Sequence, residues 1–543
     1  MASTGARAGG GAWALPEWWP LAALIVLAAI LRLATLGEQS FWYDEAYTPV
    51  HVLHASLWAT LRAVVRSENT PPLWYVIAWA DSWLLGTGEV ALRLPSALAG
   101  IATVPVAWAI GRELTGRRTT AIAAAAFVTV NPLLVWYSQE ARAYGLFVLL
   151  AAVAMLCFLR ALRSPTRGRM AAFALAGSLA LVSHYFAVFL LIGMVIWLAW
   201  EPARRHAALP AIAVLALVGL ALLPLISAQG GHGTQWIGEW ALSSRLQAIP
   251  QYYLTDYYGS SLGHGIELLV ALPIVVGIGF GLWRVLTPVE ERGALIALAI
   301  AAGGILIPIV LVAFGEDYLA PRNLVGAMVA VTALIAVIVP SRRAGRVGIA
   351  LAVLIALGFT AITIDVDLSP RLQRGDWRGL ARVLSRPPRT GVGAPGSPNR
   401  TASGASGVSG ASTVSGASGA SGARKLMPAG VRDRAIVTVE LGSAPLEYYM
   451  PPLRNLLPGQ AIAVREIDEV GYSPLVPAAG TAPAPGFRLL ERVDVNGLIA
   501  YRFVSPLPRT VSETMLQGDA ITREAHSEVL IPGGLRATVA AGA

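Results

Sequence analysis

Eleven apolar runs, each close to the length that crosses a lipid bilayer, constrain this 543-residue chain more than anything else in it. They cover residues 19–36, 91–111, 119–137, 144–162, 170–184, 186–200, 207–227, 265–286, 293–314, 322–340 and 346–364. A spanning helix needs roughly 20 such residues, because the hydrocarbon core is about 30 Å thick and each helical residue advances about 1.5 Å. With 55% hydrophobic and 13% charged residues, an ordinary water-soluble domain is excluded and a polytopic α-helical membrane protein is predicted. The stretch 170–200 is one apolar run interrupted at Ser183-His184-Tyr185. It reads as a hairpin of two spans, since a single helix of that length would overshoot the bilayer. The first run follows a weak N-terminal charge at Arg7 and lacks a small-residue cleavage site, which marks it as a retained span. The single cysteine, Cys157, lies inside an apolar run, so the sequence offers no disulfide framework and no thiolate metal site.

The net charge of +9 does not point to nucleic acid, and no nucleic-acid partner is expected: the arginines sit in short connections between apolar runs, where they report orientation. Residues 72–85 are apolar enough to span. They nevertheless contain Asp81, begin at Pro71-Pro72, and as a span would carry Arg112, Arg117 and Arg118 outside. They are therefore expected to lie along the outer surface together with the amphipathic stretch 50–65. Arg112, Arg117 and Arg118, then Arg163, Arg167 and Arg169, then Arg204 and Arg205, then Arg284 and Arg292, then Arg342, Arg343 and Arg346 all become cytoplasmic.

The opposite loops gather the candidate chemistry. They carry Asp44-Glu45 among the aromatics of Phe41-Trp42-Tyr43-Asp44-Glu45-Ala46-Tyr47, then residues 137–144, 183–186, 229–264 and 316–323. Adjacent carboxylates next to hydrocarbon are costly to desolvate unless a charge partner, a metal or a catalytic task holds them. A solvated loop whose aromatics anchor at headgroup depth is the plainer alternative. Arg142 and Arg322 suit a phosphate, because a guanidinium fork bonds two oxygens at once, and either could equally be a snorkelling interfacial arginine. Glu45 and Glu140 could pair with those arginines. Glu140, Tyr144, His184, Tyr185, Tyr257 and Asp317 complete the set of candidate substrate-contacting residues. His184 could instead be a satisfied helix-end histidine, and Tyr252, Tyr253, Tyr257 and Tyr258 around Asp256 suit sugar stacking or headgroup anchoring alike.

Past Ile364 the composition changes. Residues 365–386 contain a short amphipathic helix at 376–384, and 387–424 form a Gly/Ser/Ala-rich tract that cannot bury a core and reads as a flexible linker. Residues 425–543 then read as a small α/β domain, with strands at 435–439 and 498–504 and a helix start at 445–449. An odd number of spans places this domain outside.

In order along the chain stand an aromatic-Asp-Glu-Ala motif after the first span, Pro71-Pro72-Leu73-Trp74-Tyr75, Arg93-Leu94-Pro95-Ser96-Ala97-Leu98, Tyr137-Ser138-Gln139-Glu140-Ala141-Arg142-Ala143-Tyr144, Ser183-His184-Tyr185-Phe186 and Pro321-Arg322. This ordered set, spread over roughly residues 19–364, resembles the bacterial branch of the GT-C glycosyltransferases, which is similar to the protein O-mannosyltransferases and the lipid A aminoarabinose transferase. The resemblance implies an inverting transferase at the outer face of the bacterial cytoplasmic membrane. It would move a hexose or pentose from a polyprenyl-phosphate donor to a hydroxyl on a lipid, glycan or protein. By position Asp44 would be the catalytic acid-loop residue, with Glu45 beside it and Arg142 and Arg322 on the donor phosphate. No metal ligand and no cofactor are assigned, and a divalent metal stays open. No second paired-acid motif of the oligosaccharyltransferase kind is seen, since Glu140 is followed two residues later by Arg142. A transporter or flippase of lipid-linked substrates is the alternative; it would place ionisable groups at mid-bilayer and often shows inverted repeats, whereas here the acids lie at span ends and no internal repeat is seen.

Overall fold

The computed structural model describes residues 18–200, 202–232, 234–255, 260–261, 263–386, 433–473, 482–517 and 527–539. The tract expected as a linker, 387–424, lies outside the described residues. Contacts divide the chain into two units, Met1–Gln39 with Tyr47–Gln373, and Ser40–Ala46 with Arg374–Ala543.

The first unit is helical. It contains α1 (Trp19–Leu33), then, after the short α2 (Tyr43–Tyr47), whose residues up to Ala46 belong to the other unit, α3 (Leu57–Ser67), α4 (Leu73–Leu85) and α5 (Glu89–Thr115). A broken pair, α6 (Arg118–Val130) and α7 (Pro132–Ser138), leads to α8 (Tyr144–Arg163), α9 (Arg167–Ser183), α10 (Ala187–Trp200) and α11 (Pro202–Gln229). The short α12 (Gln235–Glu239) and α13 (Leu242–Thr255) precede α14 (His264–Trp283), α15 (Pro288–Val312), α16 (Met328–Ile338) and α17 (Gly345–Leu368). Every apolar run of the sequence is helical. Among the described residues seven helices are long and apolar enough to cross a membrane, or eight if α6 and α7 count as one span. The runs at α1, α9 and α10 are 15, 17 and 14 residues, about 21–26 Å at 1.5 Å per residue, and so fall short of the full hydrocarbon thickness. At 13 residues α4 is shorter still, which fits a helix that does not span.

Local chemistry sets the ends of these helices. Thr287 and Glu290 close a reciprocal capping box at the start of α15, and α5 stops at Gly116, whose φ of 71° a side chain would resist. The next turn doubles back so tightly that a Cβ on Gly111 would come within 2.7 Å of the Ala121 backbone. Burial separates interior from periphery: the spanning windows of Tyr144–Arg163 and Pro321–Ile338 are 67% and 78% buried, while those of Arg204–Gln229 and Gly265–Trp283 are 11% and 17%. The last two are apolar all round, with Leu217, Leu220, Leu268 and Val275 exposed, as lipid-facing helices must be.

The break between α6 and α7 bends the chain by 56°. Pro132 drives Asn131 into extended backbone, and the Asn131 side chain then caps α7 by accepting from Leu134 N–H at 3.1 Å. The carbonyls that the break releases are taken up by a fully buried arginine of α1. Arg32 donates through Nη1 to Thr129 O and through Nη2 to Val128 O, both at 3.0 Å, and through Nε to Ser138 Oγ at 3.2 Å. Gln139 Nε2 donates to Leu31 O at 2.9 Å. The loop from Ser138 to Tyr144 therefore leaves the membrane helices with its first residues tied to α1.

The second unit is a mixed sheet with helices. Its strands are β1 (Arg434–Thr438), β2 (Leu453–Asn455), β3 (Gln460–Tyr472), β4 (Arg488–Val495), β5 (Leu498–Ser512), β6 (Glu528–Pro532) and β7 (Thr538–Val539), in the order β2-β6-β1-β3-β5-β4 with β7 on β3. β1 runs parallel to β3 and the other pairs are antiparallel; Ile436 faces Asp468 on one side and Leu530 on the other. One face packs Ile436, Val470, Ala500 and Leu530 against α18 (Trp377–Leu384) and α19 (Ser443–Tyr449). The opposite face buries Val437, Ile467, Tyr501 and Phe503 with Leu516 of the short α20 (Glu513–Gln517). The strands expected at 435–439 and 498–504, the helix start at 445–449 and the amphipathic helix at 376–384 are all present.

Candidate functional site

The acidic pair sits on α2, a five-residue helix rather than an open loop, which continues into a π-turn at Thr48–Val52. Glu45 is fully buried and Asp44 half-buried. Arg374 Nη1 lies 3.7 Å from Glu45 Oε2, and its guanidinium stacks 4.0 Å from the Trp42 ring centre. Phe41 N–H donates to Tyr449 Oη at 2.8 Å, and the Phe41 and Tyr448 rings meet edge-on at 5.1 Å.

In the helical unit, the structure gathers residues 68–75, 137–144 and 184–186. Arg142 Nη2 pairs with Glu68 Oε2 at 3.1 Å, with Glu68 4% and Arg142 11% exposed. Tyr75 Oη donates to the same Glu68 oxygen, and burial raises the Tyr75 phenol well above its ordinary value, so the proton stays on tyrosine. The Arg142 guanidinium lies 6.0 Å from the Tyr75 ring centre, and Ser96 Oγ donates to Arg142 O at 3.1 Å. Arg142 is thus a fixed, nearly dry cation and not a snorkelling one. One of its carboxylate partners is Glu68, a residue that the sequence did not single out. Glu68 went unnoticed because it lies in a short polar connection, 68–70, ahead of α4, and nothing nearby in sequence hints at Arg142.

His184 is 3% exposed and stacks on Phe147 at 4.6 Å, with Tyr144 at 5.8 Å and Phe186 at 5.7 Å. Its Nδ1 accepts Phe186 N–H at 3.3 Å, so in the neutral ring the proton is on Nε2. That Nε2 is buried and has no hydrogen-bond partner among the described residues. The ring lies in the electrostatic field of both Arg142 and Arg322. Arg322 also acts on Tyr137, which in turn feels Glu140, Tyr144 and Tyr252. Arg142, Glu140, Tyr144, His184 and Arg322 therefore share one neighbourhood.

The remaining candidates lie at its edges. Tyr185 Oη donates to Gln229 Oε1 at 2.6 Å, and Gln229 Nε2 donates to Val64 O and Thr70 O at 2.9 and 3.1 Å, which ties the tyrosine to the Glu68 loop. Asp317 is held bidentately by Arg245 at 2.5 and 2.8 Å, and that guanidinium keeps its carboxyl below the ordinary carboxylate range. This pairing makes Asp317 a loop anchor. Tyr257, Asp256 and Tyr258 lie outside the described residues. Among the described residues no group of three or more His, Cys, Asp or Glu side chains could hold a metal ion.

Residues 69–227, which include Tyr75, Arg142, Tyr144, His184 and Tyr185, match the family model described as dolichyl-phosphate-mannose-protein mannosyltransferase. The chain resembles the GT-C glycosyltransferases. Solved structures similar to it include ArnT from Cupriavidus metallidurans in the apo state, at 12% identity and a TM-score of 0.49, covering 89% of this chain and 97% of that one. The same protein bound to undecaprenyl phosphate gives 13% identity and a TM-score of 0.48, over 90% and 98% of the two chains. The oligosaccharyltransferase from Archaeoglobus fulgidus tethered with an acceptor peptide gives 13% and 0.43; it matches 68% of this chain, which spans 57% of its length. No curated protein sequence matches.

Proposed function

We propose that this protein is an inverting membrane glycosyltransferase that moves a sugar from a polyprenyl-phosphate donor to a hydroxyl acceptor at the outer face of a bacterial cytoplasmic membrane. The observation that carries the reading is Arg142, a buried and fixed guanidinium inside the segment that matches the mannosyltransferase family model. It shares the His184 ring with a second arginine, Arg322. Two cations and a buried imidazole N–H donor with no acceptor among the described residues suit a phosphate that gains charge as its bond to sugar breaks.

In this reading Asp44 takes the acceptor hydroxyl's proton as the oxygen attacks the anomeric carbon from the face opposite the phosphate. The sugar–phosphate C–O bond breaks, its electron pair leaves on the lipid phosphate, and Arg142, Arg322 and the His184 Nε2–H stabilise that charge. Tyr144 and Tyr185 contribute the wall against which a sugar can lie, and Glu140 lends charge beside Tyr137.

Purified protein with a polyprenyl-phosphate sugar tests the reading. Asp44→Asn keeps shape and hydrogen bonding but cannot serve as base, and turnover falls by about 10²-fold or more with donor KM little changed. Near wild-type turnover by a folded Asp44→Asn protein would remove Asp44 from the mechanism.

A further inference from the structure

We propose that Arg374, on the segment that follows the last span, is the positioning residue of the acidic pair. This inference rests on the reading of Asp44 as the base. A helix of five residues has no stability of its own, since a single turn fixes more dihedrals than its hydrogen bonds repay, so α2 must be held by what it touches. Within its unit it is held from the far end of the sequence. Ser40 Oγ donates to Gly375 O at 3.2 Å and accepts Trp377 N–H at 3.0 Å, and Phe41 is gripped by Tyr448 and Tyr449.

Arg374 engages one residue on each side of Asp44, Trp42 before it and Glu45 after it. Its flat face lies on Trp42 and its Nη1 lies 3.7 Å from Glu45. Glu45 is fully buried and Arg374 is 11% exposed, so the attraction is little screened, and loss of the arginine leaves a buried carboxylate without this cation. One planar cation thereby pins the turn on either side of Asp44.

The arginine is itself immobilised. Asp376 N–H donates to Asn496 O at 2.9 Å, Asp376 caps α18 through Gly379 N–H at 2.8 Å, and Trp377 is buried in the sheet core. Gly375 packs so closely on the β4–β5 turn that a Cβ there would meet Leu498 at 2.8 Å.

The test compares Arg374→Met, Arg374→Lys, Glu45→Gln and the Arg374→Met/Glu45→Gln double variant in the full chain. Transfer from a polyprenyl-phosphate sugar is the assay, and thermal unfolding checks the fold. A displaced turn costs orientation rather than donor affinity, so Arg374→Met lowers kcat about 30- to 100-fold while donor KM moves by less than about 2-fold. Arg374→Lys keeps the charge but loses the flat stack, and recovers only part of that loss, to a kcat about 3- to 10-fold below wild type. The double variant loses little beyond Arg374→Met alone, because the two residues act as one unit. A folded Arg374→Met protein with wild-type kcat overturns the inference, as does full multiplication of the two single losses. Where Arg374→Met does not fold, an Arg374→Lys kcat equal to wild type overturns it. Asp44→Asn separates the two ideas: an active Asp44→Asn protein defeats the base assignment, whereas an inactive one beside an unaffected Arg374→Met defeats only the positioning role.

Discussion

Arg142 and His184 were legible as single residues because each stands in a polar break between apolar runs, where no packing demand explains it. What neighbours them was not legible. Glu68 and Tyr75 reach Arg142 only through the fold, and a sequence has no means of naming a partner that lies on another helix. Two substitutions measure this pair separately. Arg142→Lys keeps the charge and loses the planar fork, so donor KM rises about tenfold at nearly constant stability, read from initial rates over a donor series. Glu68→Gln takes this carboxylate from a buried guanidinium and lowers stability by about 3 kcal/mol, read by thermal unfolding in detergent. A Glu68→Gln protein as stable as wild type would mean that Arg142 is fixed by other contacts.

Elements divide in the same way. The long apolar runs marked where helices occur, and the short runs rich in β-branched and aromatic residues at 435–439 and 498–504 announced strands, since both patterns are local. The bend between α6 and α7 was concealed inside one apolar run, with Asn131-Pro132 as its sole sign, because the group that makes the bend tenable, Arg32, belongs to another helix. Arg32→Met leaves Val128 and Thr129 carbonyls without their donor in a dry interior, so a loss of about 2–4 kcal/mol is expected from unfolding measurements. The sheet of the second unit carries a comparable internal device. Burial, with the Glu466 carboxylate adding to it, raises Asp468 from 3.8 to about 7 against the pull of Arg434 and Arg502. The folded unit therefore holds a proton that an unfolded chain releases near its ordinary carboxyl pKa, and stability declines as pH rises from about 4 through about 7. Unfolding temperature should fall between pH 5 and 8 in the wild type, and Asp468→Asn should flatten that slope.

For the molecule as a whole, the arginine distribution predicts sidedness, with the sheet unit outside. A single cysteine at position 507, where Leu507 is exposed, in a Cys157→Ser background should react with an impermeant maleimide in intact spheroplasts. Reaction only after permeabilisation would reverse the topology. The grouping of Ser40–Ala46 with Arg374–Ala543 could not be read from the chain, because a few aromatic and acidic residues between two spans look like any connecting loop. That grouping bears on how the protein is made. Ser40 and Gly375 stand 335 residues apart, and at roughly 5–20 residues per second translation separates them by on the order of tens of seconds. Throughout that interval the nascent membrane helices are already in lipid while the acidic turn lacks the segment that secures it. A chain stalled before Arg374 should insert normally and transfer no sugar, so competence would arrive only with completed synthesis, and unfinished copies would leave the lipid-linked sugar pool untouched.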